Sequence, residues 1–237
     1  MPNFHDVLCK IRGMGIIMEY KAVIFDLDGT LIDSLEDLAD SANQALAMHG
    51  FESHPTTSYK KFIGNGVKQL IKNAVPDKTP ESVIDKILAD YRIMYNNNYV
   101  NKTKPYANII EMLGKLKALG IKMAVCSNKP HKPTNEIVNK LVGNEFFEVV
   151  FGEREGIPRK PDPAALIEAA AFIGVEPGET IYLGDSGGDM ISAKNAGMYA
   201  AGALWGFRDR EELQESGSQV LFSDPLELVE FIRSQKN

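Results

Sequence analysis

Six polar side chains stand where strands of this sequence ought to end: Asp26 and Asp28 after AVIF, Ser127 and Asn128 after IKMAVC, Asp185 and Asp189 in GDSGGDM after TIYL. A lysine, Lys160, lies in RKPDP, in a loop after the strand expected around Val149-Val150. Strands that fill a core are apolar and β-branched, and unpaired carboxylates there are costly. At the carboxyl end of a strand, where ligands bind in open α/β sheets, carboxylates suggest a reactive site instead. Crowded carboxylates repel one another unless a cation sits among them, and carboxylate and carbonyl oxygens suit Mg²⁺. That metal, the Lys160 ammonium and the Ser127 hydroxyl together make a pocket for a phosphoryl group, whose transfer needs positioning and neutralised oxygens. An Asp can attack as a covalent nucleophile through an aspartyl-phosphate. A second Asp two residues on can protonate the leaving oxygen and later activate water.

Such a site needs strands that deliver its groups to one edge. Lys21 to Phe25 reads as a buried strand. From Pro105 the pattern alternates: an amphipathic helix through Ile109, Ile110, Leu113, Leu116 and Leu119 stopped by Gly120, then a strand over 121–126. Helix 131–142, strand 147–151, helix 163–173, strand 180–183, helix 189–196, strands 199–203 and 219–222 and a last helix from Pro225 follow. Strand-helix alternation of this length predicts a doubly wound parallel sheet covered on both faces.

Between Ser34 and Lys104 the periodicity is helical. Leu35, Leu38, Ala39, Ala42, Ala45 and Leu46 share a face closed by Gly50; 56–75 reads as helix interrupted at Gly64-Asn65-Gly66; a third helix carries Val83, Ile84, Ile87, Leu88, Tyr91, Met94 and Tyr95. The polar run Asn101 to Lys104 before Pro105 reads as a hinge. The expected organisation is therefore a core of 18–33 and 105–237, a helical insertion of 34–104, and an N-terminal extension of 1–17, with Met18 as an alternative start.

At 237 residues, 44% hydrophobic and 24% charged, the chain can bury a substantial core. A net charge of -6 argues against nucleic-acid or anionic-membrane partners and leaves room for a small anionic substrate held by a few local cations. Two cysteines, Cys9 and Cys126, make no disulfide framework and suit a reducing, cytoplasmic setting. No run is long or apolar enough to span a bilayer, and Asp6, Lys10 and Arg12 fall where a signal peptide needs its apolar stretch. Oligomeric state is left open.

The phrases D26-L-D28-G-T30, S127-N128, K160-P-D-P and G184-D185-S-G-G-D189 resemble, in order, the four motifs of the haloacid dehalogenase superfamily. The insertion after the first motif resembles that superfamily's small α-helical cap, and the resemblance runs from Met18 onward. DLDGTLIDS, IGNGVKQLI, SNKP, EGIPRKPDPA and GDSGGDMISAKNAGM are similar to phosphoglycolate phosphatases and their relatives. The resemblance implies Asp26 as nucleophile, Asp28 as general acid/base, and Ser127 with backbone amides near Gly29 and Asn128 on the phosphate. It further implies Lys160 on Asp26 and the transferring oxygens, and Mg²⁺ on Asp26, the Asp28 carbonyl and Asp185, with Asp189 in the outer shell. Gly187-Gly188 depart from the commoner side-chain-bearing residues, which predicts a looser turn under Asp189.

Substrate choice falls to less specific features. Gly64 and Gly66 ahead of a helix, with Lys68 nearby, offer amides to a small anion or make a plain turn. Arg154 is a candidate for a substrate carboxylate, or a solvated surface residue. Taken singly, Asp185 is an N-cap, Asp189 a helix-start carboxylate, Ser127-Asn128 a turn and Lys160 a loop lysine. Trp205 and Phe207 read as loop packing, and Cys126 as a buried strand residue. The expected activity is Mg²⁺-dependent hydrolysis of a small phosphate ester, first 2-phosphoglycolate. Phosphosugars, nucleotides or pyrophosphate, a sugar phosphomutase, a phosphonate-cleaving relative with a cap lysine, and a non-catalytic binding protein are the rivals.

Overall fold

The structure, a computed structural model, describes residues 19–64 and 66–235; the extension 1–17, the start at Met18 and Asn65 of the glycine turn lie outside the described residues. The chain enters through Ala22–Phe25 (β1) and a short strand Ile32–Asp33 (β2), then runs through helices Leu35–Met48 (α1), Tyr59–Phe62 (α2), Val67–Ala74 (α3) and Glu81–Asn98 (α4) to Lys104–Pro105 (β3). Next come Ile109–Ala118 (α5), Lys122–Pro130 (β4), His131–Ile137 (α6), Val149–Glu153 (β5), Ala164–Ile173 (α7) and Thr180–Gly184 (β6). Gly187–Asn195 (α8), Tyr199–Ala203 (β7), Arg210–Glu215 (α9), Val220–Phe222 (β8) and Pro225–Gln235 (α10) complete it.

Six strands form one parallel sheet in the order β5-β4-β1-β6-β7-β8. β1 sits between β4 and β6, and all four of its residues are fully buried. A parallel strand with helices on both faces has no polar side, which is why AVIF lacks alternation. Each large apolar side chain so buried contributes about 1.5–3 kcal/mol. The chain leaves β1 toward β4 on one side and is flanked by β6 on the other, so the crevice at the carboxyl end of β1 is the topological switch point.

Helix α5 ends where the sequence says it should. At Gly120, φ is +73°; its N–H donates to Lys117 O and that of Ile121 to Leu116 O, a left-handed cap that a Cβ would strain. The segment expected as one helix over 131–142 is α-helical to Ile137 and widens into a π-turn over Val138–Val142 before Gly143.

Ile32–Lys104 forms one compact unit, and the flanking described residues the other. Within the inserted unit α1 packs along α4, burying Leu38, Ala42 and Ala45 on one side and Ile84, Ile87 and Tyr91 on the other. The polar run read as a hinge is anchored: the buried Asp37 carboxylate accepts from the N–H groups of Lys102 and Thr103 and from Thr103 Oγ1 at 2.7 Å. The interrupted helix over 56–75 is a 3₁₀ turn, α2 and α3, with Gly64 at φ +123° and Gly66 at φ +83° between them. No helix among the described residues is long and apolar enough to cross a membrane.

Candidate active site

Asp26 follows the last residue of β1, and its N–H donates to Leu183 O of β6 at 2.9 Å, which fixes the residue at the sheet edge. β4 carries Ser127 and Lys129 to that edge, β6 leads into Asp185, and α8 supplies Asp189. Oxygens of Asp26, Asp185 and Asp189 lie within 4.8 Å of one another, and all three residues are buried.

Lys160 is the cation set among these carboxylates. Its Nζ lies 2.7 Å from Asp189 Oδ1 and 2.8 Å from Asp26 Oδ1. The Asp26 contact lacks hydrogen-bond alignment, so it is an ion pair held by proximity. Nζ also donates to Tyr182 Oη at 2.7 Å and to Cys126 O at 3.3 Å. The Tyr182 hydroxyl in turn donates toward Asp189 Oδ1 at 3.0 Å and Cys126 O at 3.2 Å. The backbone of Lys160 is clamped by Asn128, whose Oδ1 accepts from Lys160 N at 2.9 Å while Nδ2 donates to Lys160 O at 3.1 Å. A four-carbon side chain anchored at both ends loses the freedom that would otherwise blur its position.

Asp189 is held as firmly. Ser186 caps α8, donating from N (3.0 Å) and Oγ (2.6 Å) to Asp189 Oδ2 while its Oγ accepts from Asp189 N at 3.3 Å. The looser turn expected from Gly187-Gly188 is therefore not what the structure has: both glycines fall inside α8, and Gly187 N donates to Glu212 Oε1. With Lys160, Tyr182 and Ser186 on its two oxygens, Asp189 orients the lysine; Asp26 and Asp185 are the carboxylates better disposed toward a metal.

Asp185 lies under the turn that follows Asp28. It accepts from Thr30 Oγ1 at 3.3 Å and from Phe207 N at 2.8 Å. Gly29, at φ +85°, is the reason the turn can come this close: a Cβ there would fall 2.2 Å from Asp185 Oδ2. Trp205 Nε1 donates to Thr30 O at 2.9 Å, so the loop after β7 that read as mere packing braces the acidic turn.

The electrostatics follow from burial. Desolvation pushes the Asp26 carboxyl up to about 6, with Lys160 pulling it back and Asp189 adding to the rise. Asp185 is driven well above the carboxylate range by burial, then by Asp189 and Asp26. Burial opposes ionisation of Asp189 too, but Lys160 outweighs it and the group sits below its ordinary value. Lys160 is raised because Asp189 and Asp26 overcome its own desolvation. Hard, buried carboxylate oxygens on Asp26 and Asp185 fit an oxygen-seeking divalent cation.

Lys129 was not among the residues singled out from the sequence. Its Nζ donates to both carboxylate oxygens of Asp28, at 2.9 and 3.0 Å, and its side chain is 3% exposed. Tyr182 was missed as well, since an aromatic in a central strand reads as core. Ser127 is buried, and its Oγ accepts from Lys129 N at 3.3 Å.

The residues read as substrate-selecting are engaged elsewhere. Arg154 makes a two-pronged ion pair with Glu168 (2.9 and 2.7 Å) and lies 3.7 Å above the Phe151 ring, so its guanidinium is committed to packing α7 against β5. Lys68 Nζ lies 2.7 Å from both Glu81 and Asp85, an exposed tie between α3 and α4. Gly66 is the N-cap position of α3, as a helix-starting turn requires.

Residues 23–203 match the haloacid dehalogenase-like hydrolase family. The chain is 31% identical to the phosphoglycolate phosphatase of Psychrobacter arcticus, covering 91% of this chain and 96% of that one. It is 32% identical to the phosphoglycolate phosphatase of Aquifex aeolicus, covering 90% and 96%. A crystal structure from Lactobacillus delbrueckii subsp. bulgaricus, provisionally called a phosphoglycolate phosphatase, superposes with a TM-score of 0.86 at 30% identity over 91% of this chain and 99% of that one.

Proposed function

This chain belongs to the haloacid dehalogenase-like hydrolase family and is a phosphatase, and from that premise we propose that it hydrolyses 2-phosphoglycolate to glycolate and phosphate in the cytoplasm, with Mg²⁺ as cofactor. The observation that carries the chemistry is the Lys160 ammonium, 2.8 Å from Asp26 and 2.7 Å from Asp189 at the switch point of the sheet. The names of the relatives carry the choice of ester.

In this reading Asp26 attacks phosphorus. An oxygen–phosphorus bond forms to its carboxylate as the bond to the glycolate oxygen breaks, and Asp28 gives that oxygen its proton. Water then attacks the aspartyl-phosphate, Asp28 takes up a proton, and free phosphate leaves with Asp26 regenerated. The Ser127 hydroxyl, backbone amides at Gly29 and Asn128, and Lys160 hold the phosphoryl oxygens; Asp189, Tyr182 and Asn128 keep Lys160 in place. Mg²⁺ bound by the Asp26 carboxylate, the Asp28 carbonyl and Asp185 would supply positive charge to the phosphoryl oxygens.

Asp26→Asn tests this reading. The variant should stay folded and release no phosphate from 2-phosphoglycolate with Mg²⁺ present, while the parent releases it in step with substrate loss. Parental turnover by the variant would remove Asp26 as nucleophile. A parent kcat/KM higher for a phosphosugar or nucleotide than for 2-phosphoglycolate would change the substrate, and substrate loss without phosphate would mean a mutase.

A further inference from the structure

Among the described residues two lysines are buried, Lys160 and Lys129. Lys160 is accounted for by Asp26 and Asp189, on the nucleophile's side of the site. Lys129 serves the other side. Its ammonium bridges both oxygens of Asp28, two residues beyond Asp26. If Asp28 protonates the leaving oxygen, as proposed above, then a cation 2.9 Å from it lies on the leaving group's side. The pairing also carries a conflict. While one ammonium donates to both oxygens of Asp28, a leaving oxygen must compete with Lys129 for that carboxyl. Burying an ammonium is expensive, and a pair that holds the acid away from its task has no catalytic value by itself. The conflict resolves if the bound ester brings an anion of its own. Asp28 is the more exposed member of the pair, 15% against 3%, so an incoming carboxylate would meet the pair at Asp28.

We propose that Lys129 selects esters whose leaving group carries a carboxylate, exchanging Asp28 for that carboxylate and so releasing Asp28 toward the leaving oxygen. The inference rests on the acid/base reading of Asp28 but not on 2-phosphoglycolate being the physiological ester. Lys129 is thus a specificity-determining contact, and neutral leaving groups leave Asp28 paired.

The test uses the Mg²⁺-supplied enzyme and two matched ester pairs: 2-phosphoglycolate against ethyl phosphate, and 3-phosphoglycerate against glycerol 1-phosphate. In Lys129→Met the kcat/KM ratio of carboxylate to neutral ester should fall by about 100-fold, the scale of removing one partner from a buried charge pair, whereas Lys129→Arg should retain part of it. Equal losses on both members of each pair would reduce Lys129 to a structural role and overturn the proposal. So would a parent with no carboxylate preference in either pair. A preference seen only in the phosphoglycerate pair would sink the substrate named above and leave Lys129 standing. Because Lys129→Met strands the Asp28 carboxylate and can cost the fold, calorimetric binding gives a second route. Asp28→Asn should bind 2-phosphoglycolate more tightly than ethyl phosphate, and Asp28→Asn/Lys129→Met, with both charges gone, should lose the difference. An undiminished difference in the double variant overturns the proposal.

Discussion

Tyr182→Phe removes one oxygen from the middle of the site and nothing else. The ring is fully buried, so the phenylalanine occupies the same volume less a hydroxyl. That hydroxyl accepts from Lys160 at 2.7 Å and donates toward Asp189 Oδ1 at 3.0 Å and Cys126 O at 3.2 Å. The loss is cushioned. Asp189 keeps Lys160 at 2.7 Å and Ser186 at 2.6 Å, and Cys126 O keeps Lys160 Nζ at 3.3 Å. No charge is stranded, and the cost should approach that of about two net hydrogen bonds, roughly 2 kcal/mol. For a protein of this size that corresponds to a Tm lower by about 4–8 °C. Urea denaturation and calorimetry with parent and variant side by side would measure it. The same variant loosens the ammonium that faces Asp26, so kcat should fall while KM changes less. A double-mutant cycle with Asp189→Asn should show coupling, because the two side chains share Lys160. A variant as stable and as fast as the parent would refute the view that Tyr182 holds the lysine, and independent, additive losses would refute the shared network.

Three further outcomes follow from the same structure. Gly29→Ala places a Cβ 2.2 Å from the Asp185 carboxylate at φ +85°, so phosphatase activity should demand more Mg²⁺ for half-activation and Tm should fall; an unchanged Mg²⁺ titration would contradict the close approach. Cys126 is 2% exposed and burial pushes its thiol up to about 12, so iodoacetamide at pH 8 should leave it unmodified in the native protein and alkylate it in guanidinium, as peptide mapping would show. Burial raises the Tyr199 hydroxyl to about 12 and Tyr20 higher, the latter helped by Tyr199. The folded state therefore favours the protonated phenols: their contribution is intact below pH 10 and is lost as pH climbs through the folded values. Tyr20→Phe/Tyr199→Phe should flatten the alkaline limb of the stability profile, and an unaltered limb would place its origin elsewhere.

What the sequence revealed and what it hid divide along physical lines. The parallel sheet was legible because helix and strand alternate with glycine stops such as Gly120, and because AVIF can only be a strand buried on both faces. Carboxylates after two of those strands, and the Ser127-Asn128 pair after a third, were legible because polar groups at a buried strand's end have no packing use. Tyr182 was not, since it looks like core, and Asn128, read as a phosphate contact or a turn, gave no sign of clamping Lys160; that work appears only when β4, β6 and the Lys160 loop meet. Lys129 was hidden for the same reason, as nothing local distinguishes a lysine bound to Asp28 from a solvated one. Arg154 and Lys68 looked available because their partners Glu168, Glu81 and Asp85 sit on other turns or helices. Gly187 and Gly188 suggested slack that the Ser186 cap removes.

The central claim is that Asp26 carries the phosphoryl group. Parent enzyme mixed with Mg²⁺ and 2-phosphoglycolate labelled in its phosphorus, quenched in acid within a turnover and digested, should yield the label on the peptide containing Asp26, and Asp26→Asn should yield none. Label released only as free phosphate at every quench time, or found on the same peptide of Asp26→Asn, would contradict the account.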